Sequence, residues 1–260
     1  MTRLSGDRKY RGAKSSRAGE RREHSVAAEL SEKYFEMQDL CRMAMEYARG
    51  IVRPGMNLRE FRSLCEQYLL ENGADSFWWD DIGAFIFSGD ETAVSVLPDR
   101  YEASDKCIED NDIITIDLSP QRDGVWGDFA RTIILQDGKA VENISDIRQE
   151  EWKNGLLMEE LLHNTLMDIV NEDMTFEELH EKINTLTEEK GYVNLDCLGN
   201  FGHSIAERDE DRIYSEKGNK AKLSSVAMFT FEPHISLPGS KYGFKKEDIY
   251  YFSDGRLKRM

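Results

Sequence analysis

Apolar residues recur along this chain at two spacings, and the switch between them outlines its elements. From Ser25 to about Ala48, Val26, Leu30, Tyr34, Met37, Cys41 and Met45 fall three or four apart, as on a helix that buries one stripe; Gly50 suits its C-terminal stop. After Arg53-Pro54-Gly55-Met56, Asn57 is placed to cap a second helix running to Glu71. Glu60 follows three residues later as in a loose capping box, and Gly73 ends the helix. Further on, the pattern turns to β-branched runs. Ile113 to Leu118 and Gly127 to Leu135 read as buried strands, and the turn formers of residues 119–124 predict that the two pair as a hairpin.

The same order of elements then returns. A helix from about Gln149 to Ile169 precedes Met174-Thr175-Phe176-Glu177-Glu178-Leu179, which matches Met56-Asn57-Leu58-Arg59-Glu60-Phe61 in kind, with Thr175 as cap. Asn57 to Gly73 spans 16 positions, and so does Thr175 to Gly191. Strand-like sequence follows each helix pair, over 82–135 and 200–252. Equal helix lengths in the same order predict an α+β domain over residues 25–260, built from two pseudo-equivalent halves of about 25–145 and 146–260 with sheets facing inward.

Charge divides the chain differently. The formal net charge is -16, yet residues 1–24 hold eight Lys+Arg against three Asp+Glu, leaving 26 against 47, or -21, for the remainder. A body this acidic argues against nucleic acid as its partner, and the basic head reads as a disordered tail. No run approaches the roughly 18 apolar residues of a membrane span, and the N-terminus lacks the apolar core of a secretory signal. Cys41, Cys65, Cys107 and Cys197 are too scattered for a zinc pattern and read as free thiols of a cytoplasmic protein.

Asp117 closes one buried strand and Asp128 opens the next, so the hairpin brings two carboxylates toward one sheet. Like charges buried together are costly unless a cation compensates them, and a divalent metal suits adjacent carboxylates. The second half offers His203 in Gly202-His203-Ser204-Ile205, Glu232 in Phe229-Thr230-Phe231-Glu232-Pro233, and Glu247 in Lys245-Lys246-Glu247-Asp248-Ile249. Four carboxylates and one imidazole suit Mn²⁺, Co²⁺, Fe²⁺ or Zn²⁺, and their charge balances two divalent ions. Taken singly, each has a plainer reading: Arg131 could pair with Asp128, His203 could be structural, and Glu247 beside two lysines could be a solvated strand end.

In order, these five motifs, with Ile114-Thr115-Ile116-Asp117-Leu118 and Gly127-Asp128-Phe129-Ala130-Arg131-Thr132 as the first two, resemble the signatures of the pita-bread metallopeptidases. That family includes methionine aminopeptidases, Xaa-Pro aminopeptidases and prolidases, and the likeness runs from about residue 30 to the C-terminus. The resemblance implies a pita-bread fold and a dinuclear exopeptidase. Asp117 would bind one ion, His203 and Glu232 the other, and Asp128 and Glu247 would bridge them. A hydroxide held between the ions would attack the peptide carbonyl, with Glu232 passing the proton to the leaving nitrogen. The implied substrate is a small peptide or peptide-like molecule, with no membrane partner and a homodimer allowed.

The pattern also breaks. A family histidine expected before the first ligand strand is replaced by Ser95 or Val96, and one expected seven positions after His203 is Glu210. His234, directly after Glu232-Pro233, is an extra, with two readings: a substitute hydrogen-bond donor, or a residue that merely packs beside the site. In Phe77-Trp78-Trp79, Trp79 is a candidate wall of the substrate pocket, and Asp80 or Asp81 a candidate receiver of a free α-amine. The large N-terminal domain usual in Xaa-Pro aminopeptidases and prolidases has no counterpart in residues 1–30. The missing histidines keep two other functions open: a non-peptidase hydrolase or lyase on a small amide, amidine or modified peptide, and a catalytically silent binding protein of the same fold.

Overall fold

In the computed structural model, which describes residues 13–206, 208 and 211–260 with side chains from Glu32 onward, helix α1 spans Ala13–Ile51. It therefore opens inside the stretch that charge assigned to a disordered tail, while residues 1–12 lie outside the described residues. Ala, Lys, Arg and Glu dominate residues 13–24 and are good helix formers, so net charge misled about local order. The helix also runs through Gly50 and stops at Ile51, ahead of Pro54 and of Gly55 at φ 80°.

Helix α2 (Leu58–Glu71) is capped by Asn57, whose side chain accepts the Arg59 N–H, and buries Leu58, Phe61, Cys65 and Leu69. In the second half, α3 (Glu150–Ile169) precedes α4 (Phe176–Glu189), which opens on Thr175 in a complete capping box with Glu178. The two caps thus start helices of the same 14 residues, as their spacing predicts.

Of the first half's strands, β1 (Ser76–Phe77) stands apart from a four-stranded antiparallel sheet. That sheet is ordered β2 (Ala84–Ser88), β3 (Asp112–Leu118), β6 (Phe129–Gln136) and β7 (Lys139–Ala140). β3 and β6 pair from Asp112↔Leu135 to Leu118↔Phe129, the hairpin expected from the sequence. Its connection is more than a turn. β4 (Pro120–Arg122) and β5 (Val125–Trp126) fold about Asp123 and Gly124, both at positive φ, and form a small sheet with β1. The second half adds two three-stranded sheets from β8 (Val193–Asn194), β9 (Phe229–Phe231), β10 (His234–Ser236), β11 (Phe244–Lys245), β12 (Asp248–Ser253) and β13 (Arg256–Arg259), in the orders β8-β10-β11 and β9-β12-β13.

Strand alternation positions the chemistry. Ile114, Ile116 and Leu118 of β3 pack into the core shared with α1 and α2, whereas Ile113 packs into the core of the second half. Asp117 and Thr115 have the parity of Ile113, so Asp117 projects from the sheet face that meets the second half. At the seam, the Glu247 N–H donates to the Ala130 carbonyl at 2.9 Å, and the Lys245 N–H to Thr132 Oγ1 at 2.9 Å. Among the described residues, no helix is long and apolar enough to cross a membrane.

Candidate metal centre

All five residues singled out by the motifs converge at this seam. Asp128 lies just ahead of β6, its backbone clamped by the fully buried Gln38 of α1. Gln38 Nε2 donates to the Asp128 carbonyl at 2.7 Å, and the Asp128 N–H donates back to Gln38 Oε1 at 3.2 Å. Gly202 admits the close approach of Thr230, whose Oγ1 accepts the His203 N–H at 3.0 Å. Glu232 follows β9, with its N–H on the Phe201 carbonyl at 3.0 Å, and Glu247 directly precedes β12.

His203 is oriented as a ligand. Its Nδ1 lies 3.1 Å from the Ser204 carbonyl, a partner that requires Nδ1 to carry the proton and makes Nε2 the acceptor nitrogen, with the lone pair. That lone pair faces Asp128 Oδ2 at 3.5 Å and Glu232 Oε1 at 3.7 Å. Three acceptors turned toward one point repel unless a cation lies between them. Asp128 Oδ2 and both Glu247 carboxylate oxygens are buried without a hydrogen bond, and Asp128, His203 and Glu247 offer ligand atoms within 4.8 Å of one another. The donor set therefore fits a divalent ion of the borderline-hard kind.

One cation is already present. Lys245 Nζ donates to Asp117 Oδ2 at 2.5 Å and lies 3.4 Å from Glu232 and 3.9 Å from Glu247. It compensates one of four carboxylates, and burial beside it removes Glu247 from solvent, with a side-chain exposure of 1%. The plainer readings of Glu247 and Asp128 fall here: Glu247 is no solvated strand end, and Arg131 pairs with Asp248 at 2.7 Å rather than with Asp128.

A cavity of ≈ 160 Å³ opens onto the centre, lined by Asp117, His203, Glu232 and Lys245 and walled by Trp79 and Phe85 among others. Trp79 thus stands where its candidate role requires. Asp80 does not: it is exposed in a turn at φ 49°, with Asp81 at φ 58°, and neither lines the cavity. Ser95 and Val96, where the resemblance expects a histidine, do line it. Glu210 lies outside the described residues.

His234 corrects the expectation of a donor. Its Nε2 lies 2.8 Å from the Thr92 carbonyl, so the ring's N–H is spent on that contact, and burial lowers its pKa to about 4. A neutral ring donating through Nε2 has only an acceptor left at Nδ1. His234 instead ties the short helical turn at Gly89–Ala93 to β10. His234→Ala is expected to cost about 1–3 kcal/mol by orphaning the Thr92 carbonyl, without loss of metal. Urea denaturation with an unchanged midpoint would contradict this.

Burial, with repulsion between neighbouring carboxylates second, holds Asp128 and Glu247 well above the usual carboxylate range. Burial likewise pushes Glu232 from 4.5 up to about 7. A pKa raised on folding stabilises the metal-free protein below the unfolded value, and that contribution is lost as pH rises through the folded one. The metal-free protein is accordingly expected to melt about 5 °C or more lower at about pH 8 than at about pH 5, with added Mn²⁺ reversing the loss at the higher pH. A melting temperature that is flat across this window and indifferent to Mn²⁺ would count against a metal centre.

Four carboxylates and an imidazole thus gather between two pseudo-equivalent α+β halves, and three of them, Asp128, His203 and Glu247, could hold a metal ion. Residues 32–254 match the model described as metallopeptidase family M24, and the chain belongs to that family. It is 27% identical over 208 residues to a methionine aminopeptidase of Helicobacter pylori strain J99, covering 76% of each chain. It is also 26% identical over 233 residues to an Xaa-Pro dipeptidase of Pyrococcus furiosus, covering 89% of this chain and 60% of the relative. The fold is the pita-bread fold of solved relatives. An X-Pro aminopeptidase from Thermotoga maritima superposes with a TM-score of 0.71 at 22% identity over 88% of this chain. The prolidase of Pyrococcus furiosus does so with 0.69 at 24% identity over 89%. The chain spans 59% and 63% of those two structures.

Proposed function

We propose that this chain is a dinuclear metal-dependent exopeptidase that cleaves a peptide bond near the N-terminus of a small peptide, as an aminopeptidase or Xaa-Pro dipeptidase. The observation that carries this reading is the set of buried Asp128 and Glu247 oxygens without a hydrogen bond, gathered with His203 within ligand distance of one another, in a chain of a metallopeptidase family. Asp117 would hold one ion and His203 with Glu232 the other, with Asp128 and Glu247 shared. Bound divalent ions of this kind supply Lewis-acid polarisation of a carbonyl and activation of a water. Glu232 lines the cavity and, at 15% side-chain exposure, is the most accessible of the four carboxylates, which suits it to pass a proton to a leaving nitrogen. The neighbouring Lys245 holds Asp117 in place. Trp79, Phe85 and Phe87 offer apolar surface to a substrate side chain.

Manganese, cobalt, iron and zinc all suit these ligands. All five proposed ligands come from one chain, and a homodimer is compatible with this reading. The four free cysteines suit a reducing compartment and support a cytoplasmic reading.

Ser95 and Val96, at the wall where the resemblance expects a histidine, favour a second reading: a non-peptidase hydrolase acting on a small amide or modified peptide. A panel of Met-Xaa, Xaa-Pro and general dipeptides, assayed with Mn²⁺, Co²⁺ or Zn²⁺, separates the two. Cleavage of at least one class is expected. Bound metal without cleavage of any dipeptide would transfer the function to the second reading.

A further inference from the structure

A second cavity, of ≈ 690 Å³, shares no lining residue with the one that opens onto the metal centre. Its size falls within the range of about 300–1,000 Å³ that small-ligand sites occupy. Arg42 and Arg49 reach it from α1, Arg131 from β6 and Arg259 from β13. The acids of the lining are Glu46 and Asp248, so four guanidinium groups meet two carboxylates. Cations still outnumber anions with a main-chain carboxylate counted at Met260, whose carbonyl accepts from Arg42 Nη2. In a chain of formal net charge -16, the cleft is a local reversal of sign.

The four arginines are not equally committed. Arg131 is fixed: it donates to the Glu247 carbonyl at 2.6 Å and to Asp248 Oδ1 at 2.7 Å, with its guanidinium carbon 3.8 Å from the Phe129 ring centroid. Arg42 pairs with Asp39 at 2.5 Å. Arg49 bonds through Nη2, to the Val141 carbonyl at 2.8 Å and to Glu142 at 3.3 Å, which leaves its Nε and Nη1 donors unspent among the described residues. The Arg259 guanidinium makes no hydrogen bond among the described residues, and its Nη1 lies 3.6 Å from Asp248 Oδ2. Asp39 and Glu142 are 67% and 77% exposed, so their pairs contribute little and give way to a better-held anion. A guanidinium fork matches phosphate or carboxylate oxygens through parallel hydrogen bonds. Arg42 and Arg49 are two helical turns apart, about 10 Å along α1, so an anion charged at more than one position engages the cleft better than a monovalent one.

We propose that this cleft is a second ligand site, which binds a small multivalent oxyanion through Arg49 and Arg259, with Arg42 and Arg131 adding charge. Phosphate and carboxylate groups share the chemistry required. The proposal does not depend on the metallopeptidase reading, since none of the residues involved is a candidate metal ligand.

The test is calorimetric titration of the purified full chain with tripolyphosphate, citrate and, as monovalent control, acetate, at about 0.15 M ionic strength. The wild type is compared with Arg49→Met, Arg259→Met, Lys258→Met and Asp128→Ala. At least one multivalent anion should bind and acetate should not. Each arginine variant should weaken that binding by about tenfold or more, as loss of a charge-assisted hydrogen-bonded pair requires. Lys258→Met removes the same charge from the same strand outside the lining, and Asp128→Ala removes a proposed ligand of the metal centre; both should bind as the wild type does. Tighter tripolyphosphate identifies a phosphorylated ligand, and tighter citrate a polycarboxylate. The proposal is overturned if neither multivalent anion binds, if both arginine variants bind as the wild type does, if Lys258→Met weakens binding equally, or if Asp128→Ala abolishes it. Should Arg49→Met fail to fold by circular dichroism, Arg259→Met, at a site 52% exposed, supplies the comparison.

Discussion

Asp128→Ala is expected to abolish stoichiometric metal binding and to lower peptide hydrolysis by about 10³-fold or more. Asp128 is 3% exposed, and its Oδ2 is buried without a hydrogen-bond partner, 3.5 Å from Nε2 of His203. Removing the carboxylate takes away a group shared between both proposed ions. The fold should survive, because Gln38 grips the backbone of Asp128 and not its side chain. In the metal-free protein the same change should even raise the melting temperature at about pH 8, since it deletes a buried carboxylate that burial and Asp117 both destabilise in its charged form. Calorimetric Mn²⁺ titration, dipeptide hydrolysis and thermal melting check the three parts. Wild-type metal content and turnover in the variant would remove Asp128 from the centre.

The largest effect on folding is expected from Gly202→Ala. Gly202 sits at φ 139°, where L side chains are strained, and an added Cβ would lie 2.2 Å from the Thr230 carbonyl oxygen and 2.9 Å from its carbon. Both neighbours are backbone, so relief requires moving β9 or the His203 segment. That movement is opposed by three hydrogen bonds: Thr230 N–H to the His203 carbonyl at 2.7 Å, His203 N–H to Thr230 Oγ1 at 3.0 Å, and Ser215 N–H to the Gly202 carbonyl at 2.7 Å. Strain and overpacking together should cost about 3–5 kcal/mol, or about 10 °C in melting temperature. Metal affinity should fall as well, since the displaced backbone carries His203. A stability within about 1 kcal/mol of the wild type would show that the segment adjusts freely.

The candidate ligands are legible in the sequence because each violates its surroundings. Asp117 and Glu232 interrupt or close apolar β-branched and aromatic runs, and an ionisable group in a buried strand needs a partner that the run does not supply. The duplication was legible in the caps: Asn57 and Thr175 are local signals, and each helix they begin has the predicted length. Residues that act across long separations carried no such mark. Gln38 falls between Met37 and Cys41 on a helix stripe, and only the arrival of Asp128, 90 positions away, gives it a role. Lys245 beside Lys246 and Glu247 looks like a solvated end until β11 joins β10 and lies along β6. The donor role expected of His234 failed for a related reason, since its partner Thr92 is 142 positions away. Asp80 was misplaced because positive φ at two successive residues turns the chain away from the cavity just after Trp79.

The central claim is that one chain holds two divalent ions between its halves, and elemental analysis of the purified full chain after saturation with Mn²⁺ and removal of excess measures this directly. About two ions per chain in the wild type, falling below one in Asp128→Ala, is the predicted result. Protein that retains no ion, and melts at the same temperature with and without Mn²⁺, would contradict it.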